Sequence, residues 1–344
     1  MRTHSAILIA LVLGIGGAIL GCGSTAVLPD HDPTQGGGFV SQVKWTPIQP
    51  ADGHYHVRRP VEPPESYRWY PDILEPNQIV KEELYLTGAN GNQLYINVHR
   101  PVWSSAEKPC HGLVLVPGGK MKGEVWQVPW RRSSSQHWAA AGFVVVDFDF
   151  QGRGRSEGEE DYYGPVHQQD LRTVILYCAN RPDVLPCGVG LVSSSWGVTV
   201  CAGTLATYPL LPVKFYIDLE GAHDRVTSTQ NNDPFWVNIW GGHDMSDDEF
   251  WDVREAITYQ PRIRAPYFRI QSDMDHAFDR FFVRHAIEMV NAAVLGECPY
   301  ARMNHNPPNQ TLDLLRAEQY QYEDIDLLDE VLYMQVAECS MMEF

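Results

Sequence analysis

Residues 188–203 read GVGLVSSSWGVTVCAG: a short apolar run, three serines, then small and apolar residues at close helical spacing. Val189, Leu191 and Val192 make a run of strand length, whereas Val198, Val200, Cys201, Ala202 and Leu205 suit a tightly packed helix. A serine therefore stands on a sharp turn from strand to helix. Such a turn lifts a hydroxyl clear of the sheet edge and strains the backbone beneath it. It also brings the residues two before and two after the tip almost into contact, so both must be small. With Ser195 at the tip, those residues are Ser193 and Gly197. The usual pattern is G-x-S-x-G, and here serine replaces the first glycine. Ser194 is the rival tip, and the spacing to Gly197 favours Ser195. The plainer reading is a serine-rich turn that only caps a helix. The order of the surrounding segments decides between the two.

Working outward, strands are expected from Ile79 and up to His99, joined by turn residues 88–92, as a hairpin leading into the main sheet. Next come an apolar strand over residues 113–116, the turn Pro117, Gly118, Gly119, a helix ending at Gly142, and a strand over residues 143–148. A helix over residues 166–179 precedes the serine turn, and strands over 213–219 and 267–270 follow it. Alternation of this kind implies an α/β domain with a mostly parallel, twisted sheet and helices on both faces. The stretch over residues 221–266 is longer than a plain crossover. Its Phe235, Trp236, Trp240, Phe250 and Trp251 suit a short lid-like insertion over an apolar pocket or, equally, a core. A helix over residues 278–295 and an acidic helical tail over 311–344, expected to pack on the domain, complete the chain.

The N-terminus has Arg2, an apolar run over residues 6–20 and Cys22 where that run ends, which reads as an export signal over residues 1–21. Residues 19–22, Ile-Leu-Gly-Cys, resemble the lipobox of bacterial lipoproteins. That resemblance implies that Cys22 is lipidated and, with Gly23 after it, that the protein is anchored at the outer membrane; an ordinary cleaved signal or an uncleaved anchor is the alternative. Residues 22–78, rich in proline and glycine, read as a tether and extended arm. A formal charge of −17 argues against nucleic acid or an anionic membrane surface as partner, leaving the lipid anchor as the expected membrane contact. Export permits disulfides among the six cysteines besides Cys22, and the short loop between Cys178 and Cys187 makes them the preferred pair. No cysteine spacing suggests a zinc site, and neither metal nor cofactor is expected.

The segment DFDFQGRGRSEG, Asp147 to Gly158, resembles the D-x-x-G-x-G-x-S strand and loop of the α/β-hydrolase superfamily, and LVSSSWG resembles its nucleophile elbow. With the order of strands and helices, the resemblance covers residues 79–310 and implies the α/β-hydrolase fold there. It also implies a catalytic triad in the order serine, acid, histidine, because a serine hydroxyl needs a base and the base needs a carboxylate to hold its tautomer. Ser195 is then the nucleophile. The acid is expected after the seventh strand at Asp275, with Asp273 as competitor because Ser272 replaces the family's glycine. Asp218 and Glu220, after the sixth strand, are the minority alternative. Of thirteen histidines, His305 is placed to be the base, on a loop after a final short strand at residues 300–303. His276 and His285 read as structural. The oxyanion hole is expected from the N–H of Trp196 and that of Gly119, with Lys120 as the alternative to the latter.

The function implied is that of an exported serine esterase hydrolysing a small carboxylic ester through an acyl-enzyme. Amide or peptide cleavage at the same site is the second reading. A non-catalytic envelope lipoprotein that keeps the fold is the rival, supported by the two replaced glycines.

Overall fold

The middle strands are continuous apolar runs because the sheet is covered on both faces, and the first strand alternates because it lies at the edge. In the computed structural model, which describes residues 78–127, 134–272, 284–296 and 301–306, eight strands form one sheet. They are β1 (Ile79–Thr87), β2 (Gln93–Pro101), β3 (Cys110–Val116), β4 (Val144–Phe148), β5 (Val184–Ser194), β6 (Val213–Leu219), β7 (Tyr267–Ser272) and β8 (Ala301–Asn306). The order is β1-β2-β4-β3-β5-β6-β7-β8. β2 runs antiparallel to β1 and β4, and every pair from β4 onward across the sheet is parallel. β5 lies mid-sheet, so the turn after it sits at the centre of the carboxyl edge, where open α/β sheets place their sites.

Helix α1 (Ser135–Ala140) covers one face, with Trp138 and Ala139 packed on Leu113, Val145 and Val192. α2 (Pro165–Ala179), α3 (Gly197–Thr207) and α8 (Arg284–Leu295) cover the other, where Leu171, Val174, Val198, Cys201 and Met289 join one core. Pro165 opens α2 at a position whose N–H needs no helical acceptor, and the Asp161 carboxylate accepts the next two N–H groups. Between β6 and β7 lie four short helices, α4 (Arg225–Thr229), α5 (Pro234–Ile239), α6 (Asp248–Trp251) and α7 (Ala256–Tyr259). Their aromatics divide. Trp240, Phe250 and Trp251 are buried in the core, while Phe235 is 63% exposed. Among the described residues no helix is long and apolar enough to cross a membrane.

Two expectations are corrected. Cys178 is a free, buried thiol at the end of α2 rather than half of a disulfide; it packs under Gly112 of β3, and burial pushes its pKa up to about 12. The helix turns this residue toward the core, which the loop length could not show. The last strand is longer than expected. β7 continues to Ser272 and gives β8 a partner as far as Asn306, so His305 lies within the strand, opposite Gln271, and not on a loop. The signal segment with Cys22, the arm apart from Gln78, residues 273–283 with Asp273, Asp275 and His276, and the tail from residue 311 lie outside the described residues.

His167 on α2 is fully buried, stacks on Phe150 with ring centroids 4.7 Å apart, and its Nδ1 accepts the Tyr163 N–H at 3.1 Å. Burial, then the Arg153 charge, hold its pKa well below the ordinary histidine value. The unfolded chain therefore takes up the proton first, so this contribution is complete above about pH 6.5 and is lost as pH falls. The urea midpoint of the protein should drop more steeply between about pH 7 and pH 5 than that of His167→Gln. Equal slopes would remove His167 as the cause.

Candidate active site

The strand-to-helix turn is as tight as its sequence requires. Ser194 closes β5, and Ser195 takes φ 50°, the left-handed region that costs a non-glycine residue about 1 kcal/mol or more. Its N–H donates to the Leu219 carbonyl at 2.8 Å, tying the tip to the end of β6. A Cβ on Gly197 would lie 2.9 Å from the Pro117 carbonyl oxygen and 3.3 Å from the Ser193 Cβ. The serine that replaces the usual glycine fits because its Oγ turns away to hydrogen-bond the Tyr216 hydroxyl at 2.8 Å. Ser195 is 8% exposed, and α3 starts two residues on, so the leading N–H groups of a helix lie beside it.

The turn after β3 packs directly against this tip. A Cβ on Gly118 would stand 2.4 Å from the Ser194 carbonyl oxygen and 2.6 Å from the Ser195 Cβ. From the other side, Arg153 donates through Nη1 to the Gly119 carbonyl at 2.9 Å while Glu160 holds its Nε and Nη2, each at 2.7 Å. The Tyr163 hydroxyl lies 2.8 Å from the Pro117 carbonyl and 2.5 Å from that of Gly119. Burial pushes Tyr163 up to about 12, so it remains a neutral donor. Pinning a carbonyl also aims the N–H on the far side of the same planar peptide, here those of Gly118 and Lys120. The D-x-x-G-x-G-x-S segment thus works as a brace for the glycine turn, with Asp149 accepting the N–H groups of Gly123 and Arg155, both at 2.8 Å.

A small pocket lies beside Ser195, lined in part by Trp196, Glu220, Thr227, Ser228 and Trp236. Trp196 stands edge-on to Trp236, with centroids 5.4 Å apart. Glu220 follows β6 directly, has φ 50° and is 2% exposed, and its N–H donates to the Ile270 carbonyl at 3.0 Å. Asp218 is occupied structurally. Its carboxylate takes Arg269 at 2.6 Å and the Tyr267 hydroxyl at 2.7 Å with no exposed surface on either ion, and it accepts the Gly221 N–H at 3.1 Å. Arg269 also donates to the Gly221 carbonyl at 2.9 Å, so this buried pair fixes the chain that carries Glu220. Among the described residues, His223, Asp224 and Glu288 form a group with metal-ligand chemistry, their donor atoms within 4.8 Å. There His223 bonds Thr227 at 3.1 Å through Nδ1 and Glu288 through Nε2.

Solved structures share this fold at low sequence identity. Brefeldin A esterase, a bacterial homologue of human hormone-sensitive lipase, matches with a TM-score of 0.51 at 17% identity, over 74% of this chain and 77% of the esterase. An esterase from Pyrococcus furiosus matches with a TM-score of 0.50 at 14% identity, over 72% of this chain and 92% of its own. Dipeptidyl peptidase 4 of Porphyromonas gingivalis matches with a TM-score of 0.52 at 14% identity, over 70% of this chain and 35% of its own. This chain has the α/β-hydrolase fold. It spans about a third of the length of the dipeptidyl peptidases it matches. No family model and no curated protein matches it.

Within the α/β-hydrolase fold the structure brings Ser195, Trp196 and the Gly118–Gly119 turn together at the ends of β3 and β5. The backbone of His305 lies beside the carboxyl end of β7, and Asp275 follows that strand by three residues, outside the described residues. His285 is buried within α8. Sequence reading missed the brace of Arg153, Glu160 and Tyr163 and the place of Glu220 in the pocket wall. Their signal is contact between distant segments, which has no period along the chain.

Two substitutions test this frame. Gly118→Ala should destabilise the protein by about 1–3 kcal/mol in urea unfolding, because backbone and not a side-chain tip must move. Asp218→Ala should cost about 3–5 kcal/mol, since it leaves the Arg269 charge buried without its counter-ion. A loss below about 1 kcal/mol for Asp218→Ala would mean that water reaches Arg269.

Proposed function

We propose that this protein is a serine hydrolase that cleaves a carboxylic ester, or less readily an amide, through an acyl-enzyme. The observation that carries the reading is Ser195 itself: a buried serine held at φ 50° between the central strand and a helix N-terminus, packed on a braced glycine turn and open to a pocket. Strain kept at a polar residue whose surroundings are fixed from two sides is characteristic of a working site. In the reading, the Ser195 hydroxyl attacks the ester carbonyl carbon and passes its proton to His305, whose imidazolium is stabilised by Asp275, or by Asp273. The oxyanion is received by the N–H groups of Trp196 and Gly119. His305 then hands the proton to the departing alcohol, and water repeats the sequence to release the acid. The placement of His305 on β8 beside the end of β7 supports this assignment.

Ester cleavage is the first choice because the two esterases match this chain over most of their own lengths. The peptidase likeness keeps amide cleavage as the second. The non-catalytic reading loses one support, since Ser193 fits the place of the first glycine through Tyr216 without disturbing the turn.

A fluorophosphonate probe, which phosphonylates only activated serines, should label the protein at Ser195 as mapped by peptide mass spectrometry, and Ser195→Ala should abolish labelling. His305→Ala should slow labelling by about a hundredfold or more, as expected for loss of a general base. Labelling at Ser194, or none in the folded protein, would overturn the assignment.

A further inference from the structure

Two consecutive residues in the loop before α2 hold a conformation that side-chain-bearing residues rarely adopt, Tyr162 at φ 46° and Tyr163 at φ 62°. Left-handed backbone at bulky residues stores strain, and it persists only where neighbours over-determine it. Here they do. The Tyr162 N–H donates to the Glu160 carboxylate at 2.7 Å, and its carbonyl accepts from Arg254 Nε at 3.1 Å. Arg254 also donates to the Asp161 carbonyl and carboxylate, both at 3.0 Å. The Tyr163 N–H donates to Nδ1 of the buried His167 at 3.1 Å. A loop that had only to reverse the chain would do so with less strain through glycine or asparagine.

What the strain delivers is a grip on the turn after β3. The Tyr163 ring meets Phe150, His167 and Trp240 edge-on, and its hydroxyl reaches the carbonyls of both Pro117 and Gly119. The Arg153 guanidinium lies 4.3 Å from the centroid of the same ring and shares the Gly119 carbonyl. The Tyr162 ring takes the Lys120 ammonium 4.7 Å from its centroid. Within the turn, the Met121 N–H donates to the Gly118 carbonyl at 3.1 Å. The carbonyls of Pro117, Gly118 and Gly119 are therefore all held, and planarity sets the directions of the N–H groups that follow them. Among the described residues, the N–H groups of Gly119 and Lys120 have no acceptor. Donors aimed in advance and left unpaired are what a developing oxyanion requires and what a plain turn does not. Two adjacent glycines are the most pliant backbone a chain can offer, so the precision has to come from outside them. We propose that Tyr163 and Arg153 are positioning residues of the oxyanion hole, holding the peptides on either side of the Gly118–Gly119 peptide so that the Gly119 N–H stays aimed at the tetrahedral intermediate. The proposal rests on Ser195 being the nucleophile of a hydrolase. Neither side chain touches substrate; both act through backbone.

The test compares 4-nitrophenyl acetate with its thionoester, in which sulfur replaces the carbonyl oxygen. A rigidly held hole suits the oxyanion and receives the larger, weaker-accepting sulfur anion poorly, so wild-type kcat/KM should favour the oxygen ester by about tenfold or more. Tyr163→Phe removes only the hydroxyl. It should lower kcat/KM for the oxygen ester by about ten- to a hundredfold, less than the loss of an oxyanion donor itself, and bring the oxygen-to-sulfur ratio toward one. Inhibition by 1,1,1-trifluoroacetone, which forms a tetrahedral adduct on an activated serine, should weaken by the same factor as kcat/KM. Arg153→Lys keeps the charge and removes the fork. It should act in the same direction, and the double variant should lose less than the product of the single losses, because both side chains hold the Gly119 carbonyl. A folded Tyr163→Phe that loses kcat/KM while the ratio and the trifluoroacetone constant stay at wild-type values would show a hydroxyl that only supports the fold, and would overturn the proposal. No loss in either folded variant would overturn it as well. A wild-type ratio near one would do so with no substitution made, so a variant that fails to fold does not shield the idea. Absence of fluorophosphonate labelling at Ser195 in the wild type would sink the hydrolase reading and this proposal with it, whereas labelling together with unchanged variants would sink the positioning role alone.

Discussion

Two turns, one closing β3 and one closing β5, meet with no room for a side-chain carbon between them. Gly118 lies against the Ser194 carbonyl and the Ser195 Cβ, and Gly197 lies against the Pro117 carbonyl. Everything at the site follows from this contact. It forces the chain at Ser195 into the left-handed region, because only such a reversal carries the backbone from strand to helix within so short a distance. It places the start of α3 beside the serine and sets the glycine turn directly against it. An added methyl at either glycine would have to displace backbone, which close-packed interiors resist.

A contact between two turns does not hold itself. On one side the support is polar and comes from the loop after β4, where Arg153 spends two donors on Glu160 and a third on the Gly119 carbonyl. On the other side it is the Asp218–Arg269 pair, buried between β6 and β7. Burying two ions is costly, and an apolar pair would often be as stable. What the ion pair adds is direction: its spare donors and acceptors reach Gly221 and Gln271, so the segment after β6 has one path and not several.

Much of this fold was legible along the chain, for a physical reason. Buried parallel strands are unbroken apolar runs, and a helix shows as a spaced apolar pattern or, in α3, as a run of small buried residues, so β3, β4, β6, α2 and α3 show themselves within a few residues of their observed ends. The serine turn was legible because its constraint, small residues two before and two after, is local. Features set by distant partners were not. β8 pairs with β7 as far as Asn306, which is why His305 lies inside a strand that sequence reading ended at Met303. Cys178 sits near Cys187 in sequence, yet the helix turns it into the core under Gly112. The aromatics of residues 221–266 look alike in sequence and divide in space, Trp240 and Trp251 into the core and Trp236 to the pocket.

Glu220 shows how the two kinds of information combine. In sequence it is one carboxylate among forty-three, next to an aspartate that looks equally suited to chemistry. The structure separates them through the pleat of a strand. Asp218 points into the sheet's own packing and is used up by Arg269 and Tyr267, whereas Glu220, two residues on, has left the strand through a left-handed turn and borders the pocket. Had the strand continued, residues 218 and 220 would share a face, since side chains two apart in a strand point the same way. The positive φ at Glu220 breaks that alternation, and it does so at the position level with Ser195, whose N–H bonds the residue just before it. Two left-handed residues at φ 50°, one after each of two neighbouring strands, therefore border one small space. That convergence is a property of the sheet edge rather than of either sequence segment. It makes the pocket's wall as much a consequence of the fold as the place of the serine.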